Sequence, residues 1–93
     1  MKRRRPKQDI SNPDPTWANW QTPLFIRVGR YRKEVVANPA EALSFLANRW
    51  RGHKDDTYFA ARVACSKSLR RRLNPQEARD LFFRFACDAG LVE

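Results

Sequence analysis

Leu24-Phe25-Ile26-Arg27-Val28-Gly29-Arg30-Tyr31-Arg32-Lys33-Glu34-Val35-Val36 is the stretch that decides the fold. Leu24, Ile26 and Val28 alternate with Phe25 and Arg27, the period of a half-buried strand. Gly29-Arg30 supplies a two-residue turn with glycine first, where a positive φ is needed, and Tyr31 to Val36 returns as a second strand. In that register Leu24 faces Val35, Val28 faces Tyr31 and Arg27 faces Arg32. Like charges directly opposite one another are destabilising. Either an anion sits between the arginines, or the loop is longer and the register differs. Hairpin loops of three to five residues are frequent, which makes the longer loop the commoner answer.

A hairpin with one apolar face needs a layer to cover it. Downstream, the sequence predicts three helices. Asn38-Pro39-Ala40-Glu41 is a helix start: Asn38 caps, Pro39 suits the first helical position, and Glu41 can reach back as in a capping box. Leu43, Leu46, Ala47 and Trp50 come next on one face, with Ala42 and Phe45 beside them, and Gly52 stops the helix. Asp55 or Asp56 caps the second helix. Its stripe is Tyr58, Ala61, Cys65 and Leu69. Phe59 and Val63 lie opposite, so its first half reads as buried all round. Lys67, Arg70 and Arg71 then take over the Phe59–Val63 side, as if the helix left the core toward its C-terminus. Asn74-Pro75-Gln76-Glu77 repeats the start signal. Ala78, Leu81, Phe82, Phe85, Ala86 and Ala89 then form the clearest amphipathic pattern in the chain, ended by Gly90. The shared Asn-Pro starts reflect cap chemistry, since the two helices differ in sequence beyond them. The expected architecture is α+β: an N-terminal β-hairpin (about 24–36) packed on three helices (about 39–51, 56–72 and 75–89), order β-β-α-α-α.

Upstream, residues 1–16 read as a disordered basic tail, with Asn12-Pro13-Asp14-Pro15 as turn chemistry. Residues 17–93 read as a single small domain, opened by Trp17 and Trp20 packed under or beside the sheet. Hydrophobic residues at 42% are enough for a core, so the whole chain is not disordered. A domain of this size buries about 60–65% of its unfolded surface, which leaves stability modest and makes dimerisation useful.

From Trp20 onward the chain carries Pro23 before the first strand, Glu41-Ala42-Leu43 with Leu46 and Trp50, then Gly52, Tyr58, and Ala61 four before Cys65. Glu77-Ala78-Arg79 with Phe82, Ala86 and Ala89-Gly90 completes the set. In this order and spacing it resembles domain-of-unknown-function family 982, small uncharacterised bacterial proteins of rhizobia and related alphaproteobacteria. That family often has proline after the tryptophan; Arg51 stands there, which bears on where the first helix ends. The resemblance implies a small α+β domain and supplies no activity, substrate or catalytic residue.

The chemistry-bearing residues point away from catalysis. Nucleophilic catalysis needs a nucleophile, a base and an orienting group. The single histidine, His53, falls in a short loop. Cys65 and Cys87 sit mid-helix among apolar neighbours and read as small buried hydrophobes. Arg62 near Cys65 keeps a reactive thiol in view. Capping accounts for Asp55 and Asp56, and no glycine-rich phosphate loop exists. No cofactor, metal or small-molecule substrate is implied, and the expectation is a non-enzyme. Arg79 reads as a structural ion-pair residue beside Asp80. The two cysteines fit no disulfide or zinc spacing, which points to a reduced, cytoplasmic protein. No apolar run approaches a membrane span, and the basic start lacks the apolar segment of a secretory signal.

Charge is the one functional signal. The net charge is +9 and the pI about 10.6. Residues 1–10 hold five cations against Asp9, leaving +5 for residues 11–93. Arg27, Arg30 and Arg32 surround the hairpin turn, and Lys67, Arg70, Arg71 and Arg72 end the second helix. These seven are the candidate anion-binding residues. Two functions compete. One is a protein-interaction module, with a protein partner or self-association into a homodimer, motivated by a small core with apolar surface to spare. The alternative is polyanion (nucleic-acid) binding through the hairpin tip and the end of the second helix. It gains if those two places share a face.

Overall fold

The computed structural model describes residues 15–92; the side chains of 15 and 16 are outside that description, as are residues 1–14 of the tail expected over 1–16. A short 3₁₀ helix, Pro15–Ala18, precedes strands β1 (Leu24–Arg27) and β2 (Lys33–Val36). Helices α1 (Pro39–Asn48), α2 (Asp56–Leu69) and α3 (Pro75–Asp88) come after them. The order is β-β-α-α-α and the sheet is one antiparallel pair, a small α+β fold as expected.

The hairpin takes the longer loop. Gly29-Arg30-Tyr31 lie between Val28 and Arg32, which the Val28 N–H closes onto the Arg32 carbonyl at 2.9 Å. The register is Leu24↔Val36, Phe25↔Val35, Ile26↔Glu34 and Arg27↔Lys33. This is the longer-loop alternative, and its register differs by one residue from that of the two-residue turn. Val36, not Val35, joins Leu24 and Ile26 in the core, while Val35 and Tyr31 are exposed. Arg27 is still opposite a cation, now Lys33, and both residues make further contacts. Glu34 falls at the rim of the inner face. Arg49, just past α1, grips both its carboxylate oxygens, and Arg32 lies 3.6 Å away.

The caps match the sequence. Asn38 Oδ1 accepts from the Glu41 N–H at 2.9 Å, while Glu41 reaches back to the Ala37 N–H, one residue before the cap. Asp55, not Asp56, caps α2, and Asn74 caps α3. At the far end of α3, Leu91 N–H bonds Ala86 and Gly90 N–H bonds Cys87, with Gly90 at φ 74°. This is a Schellman closure, which wants the left-handed residue to be glycine. Leu91 then returns to the hairpin, its carbonyl accepting from Arg27 N–H at 2.7 Å.

Two helix ends differ from expectation. α1 ends at Asn48, three residues before the expected 51, because Trp50 N–H bonds Phe45 instead of Leu46. The Leu46 carbonyl is left to the Tyr58 hydroxyl at 2.9 Å, a buried tie between α1 and α2. Gly52 therefore does not stop the helix. It lies under the Trp50 indole, where a Cβ would collide with the ring. α2 ends at Leu69 instead of 72, with Arg71 in the left-handed region at φ 61°.

The core is built around Phe82 and Phe85. Trp20, Phe45, Trp50 and Tyr58 gather on these two rings with centroids 5.3 to 6.4 Å apart, several edge to face. Ile26, Leu46, Ala61 and Cys65 fill between them. Trp20 is buried as expected, but Trp17 is 40% exposed. α2 does not leave the core: Ser68 in its last turn is fully buried, and the outer side is open along the whole helix.

Candidate functional site

The residues read as buried on the outside of α2 form the most open apolar surface of the helical layer. Phe59 and Val63 are each 51% exposed, which corrects the expectation that the first half of α2 is buried all round. They stand one turn apart, and Leu43 and Ala47 of α1 face them across a groove of about 450 Å³. Arg62, Ser66 and Arg70 complete the wall, three positions at helical spacing alongside the apolar row. The groove lining carries two arginines and no carboxylate.

Arg62 is held. Its guanidinium donates to the Tyr58 hydroxyl at 3.1 Å, and that hydroxyl is committed to the Leu46 carbonyl. The cation also sits 6.0 Å from the Tyr58 ring centroid. A buried tyrosine one turn back thus sets the direction of an exposed arginine. Arg70 reaches Ser66 Oγ at 3.5 Å and faces the same groove.

The seven expected anion-binding residues do not form one patch. Arg27 is on the outer face of the sheet, and Arg30 is exposed in the loop. Arg32 lies by Glu34, next to Arg49 at the C-terminal end of α1. Arg70 lines the same groove as Leu43, past the far end of α2 from Tyr58, which is tied to Leu46 in the C-terminal half of α1. A helix of ten residues is about 15 Å long, so the hairpin tip and the end of α2 sit toward opposite ends of it. Lys67 and Arg72 are exposed beside Arg70. Arg71 turns away from them: its left-handed backbone lays the guanidinium over Trp17, 4.0 Å from the ring centroid.

Most of the other singled-out residues have structural work. The Thr57 hydroxyl, then the Tyr58 N–H, hold the Asp55 carboxyl below its ordinary range. Arg49 does the same for Glu34. Cys65 is buried and its thiol is pushed up to about 12 by desolvation, so it carries almost no thiolate near neutrality. Cys87 is exposed, against expectation, on the solvent side of α3. Arg79 donates Nε–H to the Thr22 carbonyl at 2.7 Å: a backbone tie from α3 to the segment before β1, in place of the expected ion pair. The exposed loop holding His53 is pinned by Trp50, whose indole N–H donates to the His53 carbonyl at 2.9 Å. Among the described residues, no group of three or more His, Cys, Asp and Glu could hold a metal ion, and no helix is long and apolar enough to cross a membrane.

Sequence reasoning missed Leu43, Ala47, Phe59, Arg62 and Val63 as a set. The signal was present: an apolar pair at spacing four, flanked by Arg62-x-x-x-Ser66-x-x-x-Arg70. Assigning the pair to the core hid the flank.

Fold and groove together define a small α+β scaffold whose second helix presents an apolar strip beside two arginines. The chain belongs to the family described as "Protein of unknown function (DUF982)", whose model matches residues 22–93. No curated protein and no solved structure matches it.

Proposed function

We propose that this protein is a non-enzymatic interaction module that docks a protein partner on the α1–α2 face. The observation that carries the reading is the exposure of Phe59 and Val63 beside a groove of about 450 Å³. Exposed apolar surface collected in a concave strip favours association, whereas scattered apolar residues do not. The use of Asp55 as a cap and Cys65 as core filling supports a role without chemistry of its own. The polyanion reading draws less support, because the hairpin tip and the end of α2 lie toward opposite ends of α1.

A photo-crosslinking amino acid in place of Val63, activated in living cells, tests this. The expected result is a protein adduct of discrete mass, abolished by Phe59→Ser and absent when the same group replaces the exposed Arg84. Adducts to nucleic acid at position 63, or adducts indifferent to Phe59→Ser, would defeat the reading.

A further inference from the structure

The groove has charge as well as shape, and its charge is one-sided. Arg70, the C-cap residue of α2, comes eight residues after Arg62, so their row rises roughly 12 Å, a little over two turns. Phe59 and Val63 run parallel to that row, one step around the helix. Arg62 is also pre-oriented by Tyr58, so part of the ordering cost of a salt bridge is already met. Only one of its donor groups is committed to the tyrosine, and guanidinium takes carboxylate in a fork geometry.

We infer that the α1–α2 groove docks an amphipathic helix of a partner protein that carries two carboxylates about two turns apart beside its apolar stripe. This rests on the interaction reading above and specifies its partner. The apolar stripe lies over Phe59, Val63 and Leu43, and the carboxylates meet Arg62 and Arg70. Helix-in-groove recognition is read out by apolar anchors at i, i+3, i+4 and i+7, and flanking charges set orientation and on-rate.

Charge complementarity selects this occupant over the others. The N-terminal run Lys2 to Lys7 brings like charge to the arginines. A second copy paired antiparallel about Val63 sets Arg62 of one copy beside Arg62 of the other. A nucleic acid strand offers phosphates to the arginines but leaves Val63 and Leu43 facing a charged backbone, with no gain from their burial.

The test uses the full chain and three synthetic helical peptides sharing one leucine stripe. The first has glutamates two turns apart, the second has them adjacent at one end, and the third has lysines in place of the glutamates. Binding is read by isotope-edited amide spectra and by fluorescence anisotropy. The first peptide should bind about tenfold tighter than the lysine peptide and measurably tighter than the second. Shifts should centre on Phe59, Arg62, Val63, Ser66 and Arg70. Arg62→Glu with Arg70→Glu should invert the preference, and Arg62→Lys should retain part of it, with circular dichroism verifying that each variant is folded. Equal affinity for the glutamate and lysine peptides, or shifts elsewhere, overturns the inference. So does competition by poly(U) for the same amides. If no peptide binds but light scattering finds a dimer that Val63→Asp dissolves, the occupant is a second copy: the inference falls and the interaction reading stands. If no peptide binds, no dimer forms and position 63 gives no protein adduct, both fall.

Discussion

At the scale of single residues, contact geometry decides roles that residue type leaves open. Gly52 shows it most sharply. A glycine two residues after a helical tryptophan reads as a stop signal, yet α1 has already ended at Asn48. What the position requires is the absence of a Cβ, because the Trp50 indole covers it. That indole is itself fixed, packed edge-on to Phe85 at 5.3 Å and hydrogen-bonded to the His53 carbonyl. Gly52→Ala is therefore expected to destabilise by about 1–3 kcal/mol, the usual range for forcing an extra carbon into a packed site. Urea unfolding measures it. Pairing Gly52→Ala with Trp50→Leu should make the glycine change cost much less, since the ring it strikes is gone. An unchanged cost in that background would place the strain elsewhere. The pairing of Trp50 with Gly52 was legible as two family positions, but the reason for the glycine was not. It depends on the indole folding back over the loop.

At the scale of elements, local chemistry predicted starts better than ends. Asn38-Pro39 and Asn74-Pro75 each begin a helix where expected, because an Asn cap and a proline at the first helical position are both local rules. The ends depend on tertiary partners. α1 stops early where Trp50 N–H bonds Phe45, which leaves the Leu46 carbonyl to Tyr58, twelve residues on. The end of α2 is the more instructive. Arg72 N–H bonds Lys67 and Arg71 N–H bonds Ser68, each at 2.9 Å, a Schellman closure with arginine where glycine belongs. The left-handed conformation costs a residue with a Cβ roughly 1–2 kcal/mol. The stacking of the Arg71 guanidinium on Trp17 offsets about 0.5–1 kcal/mol of that. Arg71→Ala keeps the backbone cost and loses the stacking, whereas Arg71→Gly loses both. The glycine variant is thus expected to be more stable than the alanine variant by about 1 kcal/mol, and close to the native protein. Thermal melts of the three proteins decide it. An alanine variant as stable as the glycine variant would mean that Arg71 is not strained. The run Arg70-Arg71-Arg72 reads in the sequence as one basic block, and its division between groove and tryptophan arises only from this turn of the backbone.

At the scale of the whole molecule, the cations of the described residues fall in separate places on the fold. The hairpin tip stands by the C-terminal end of α1, the Arg70 side of α2 by its N-terminal half, and Arg71 is occupied with Trp17. The densest run of charge is Lys2 to Lys7, outside the described residues. The period-two and helical patterns made the hairpin and the three helices legible. The relative direction of the clusters was not, since it depends on Arg49, past the end of α1, being brought back to Glu34 of β2. The arrangement has a measurable consequence for nucleic acid. Counterion release makes binding fall with salt at a slope of about 0.9 per phosphate neutralised. If the compact fold offers no continuous cationic patch, that slope belongs to the N-terminal run. Deleting residues 1–10, which carry five cations and Asp9, should lower the slope for a random DNA duplex by about 4 and abolish binding at roughly 50 mM salt. Lys67→Ala with Arg72→Ala in the full chain should change the slope by less than about 1, since on this reading the N-terminal run makes the phosphate contacts. Fluorescence anisotropy across a salt series reads both. A deletion variant that kept the full slope would put the phosphate contacts on the hairpin tip or the end of α2. The groove arginines would then be competing for phosphate as well as carboxylate.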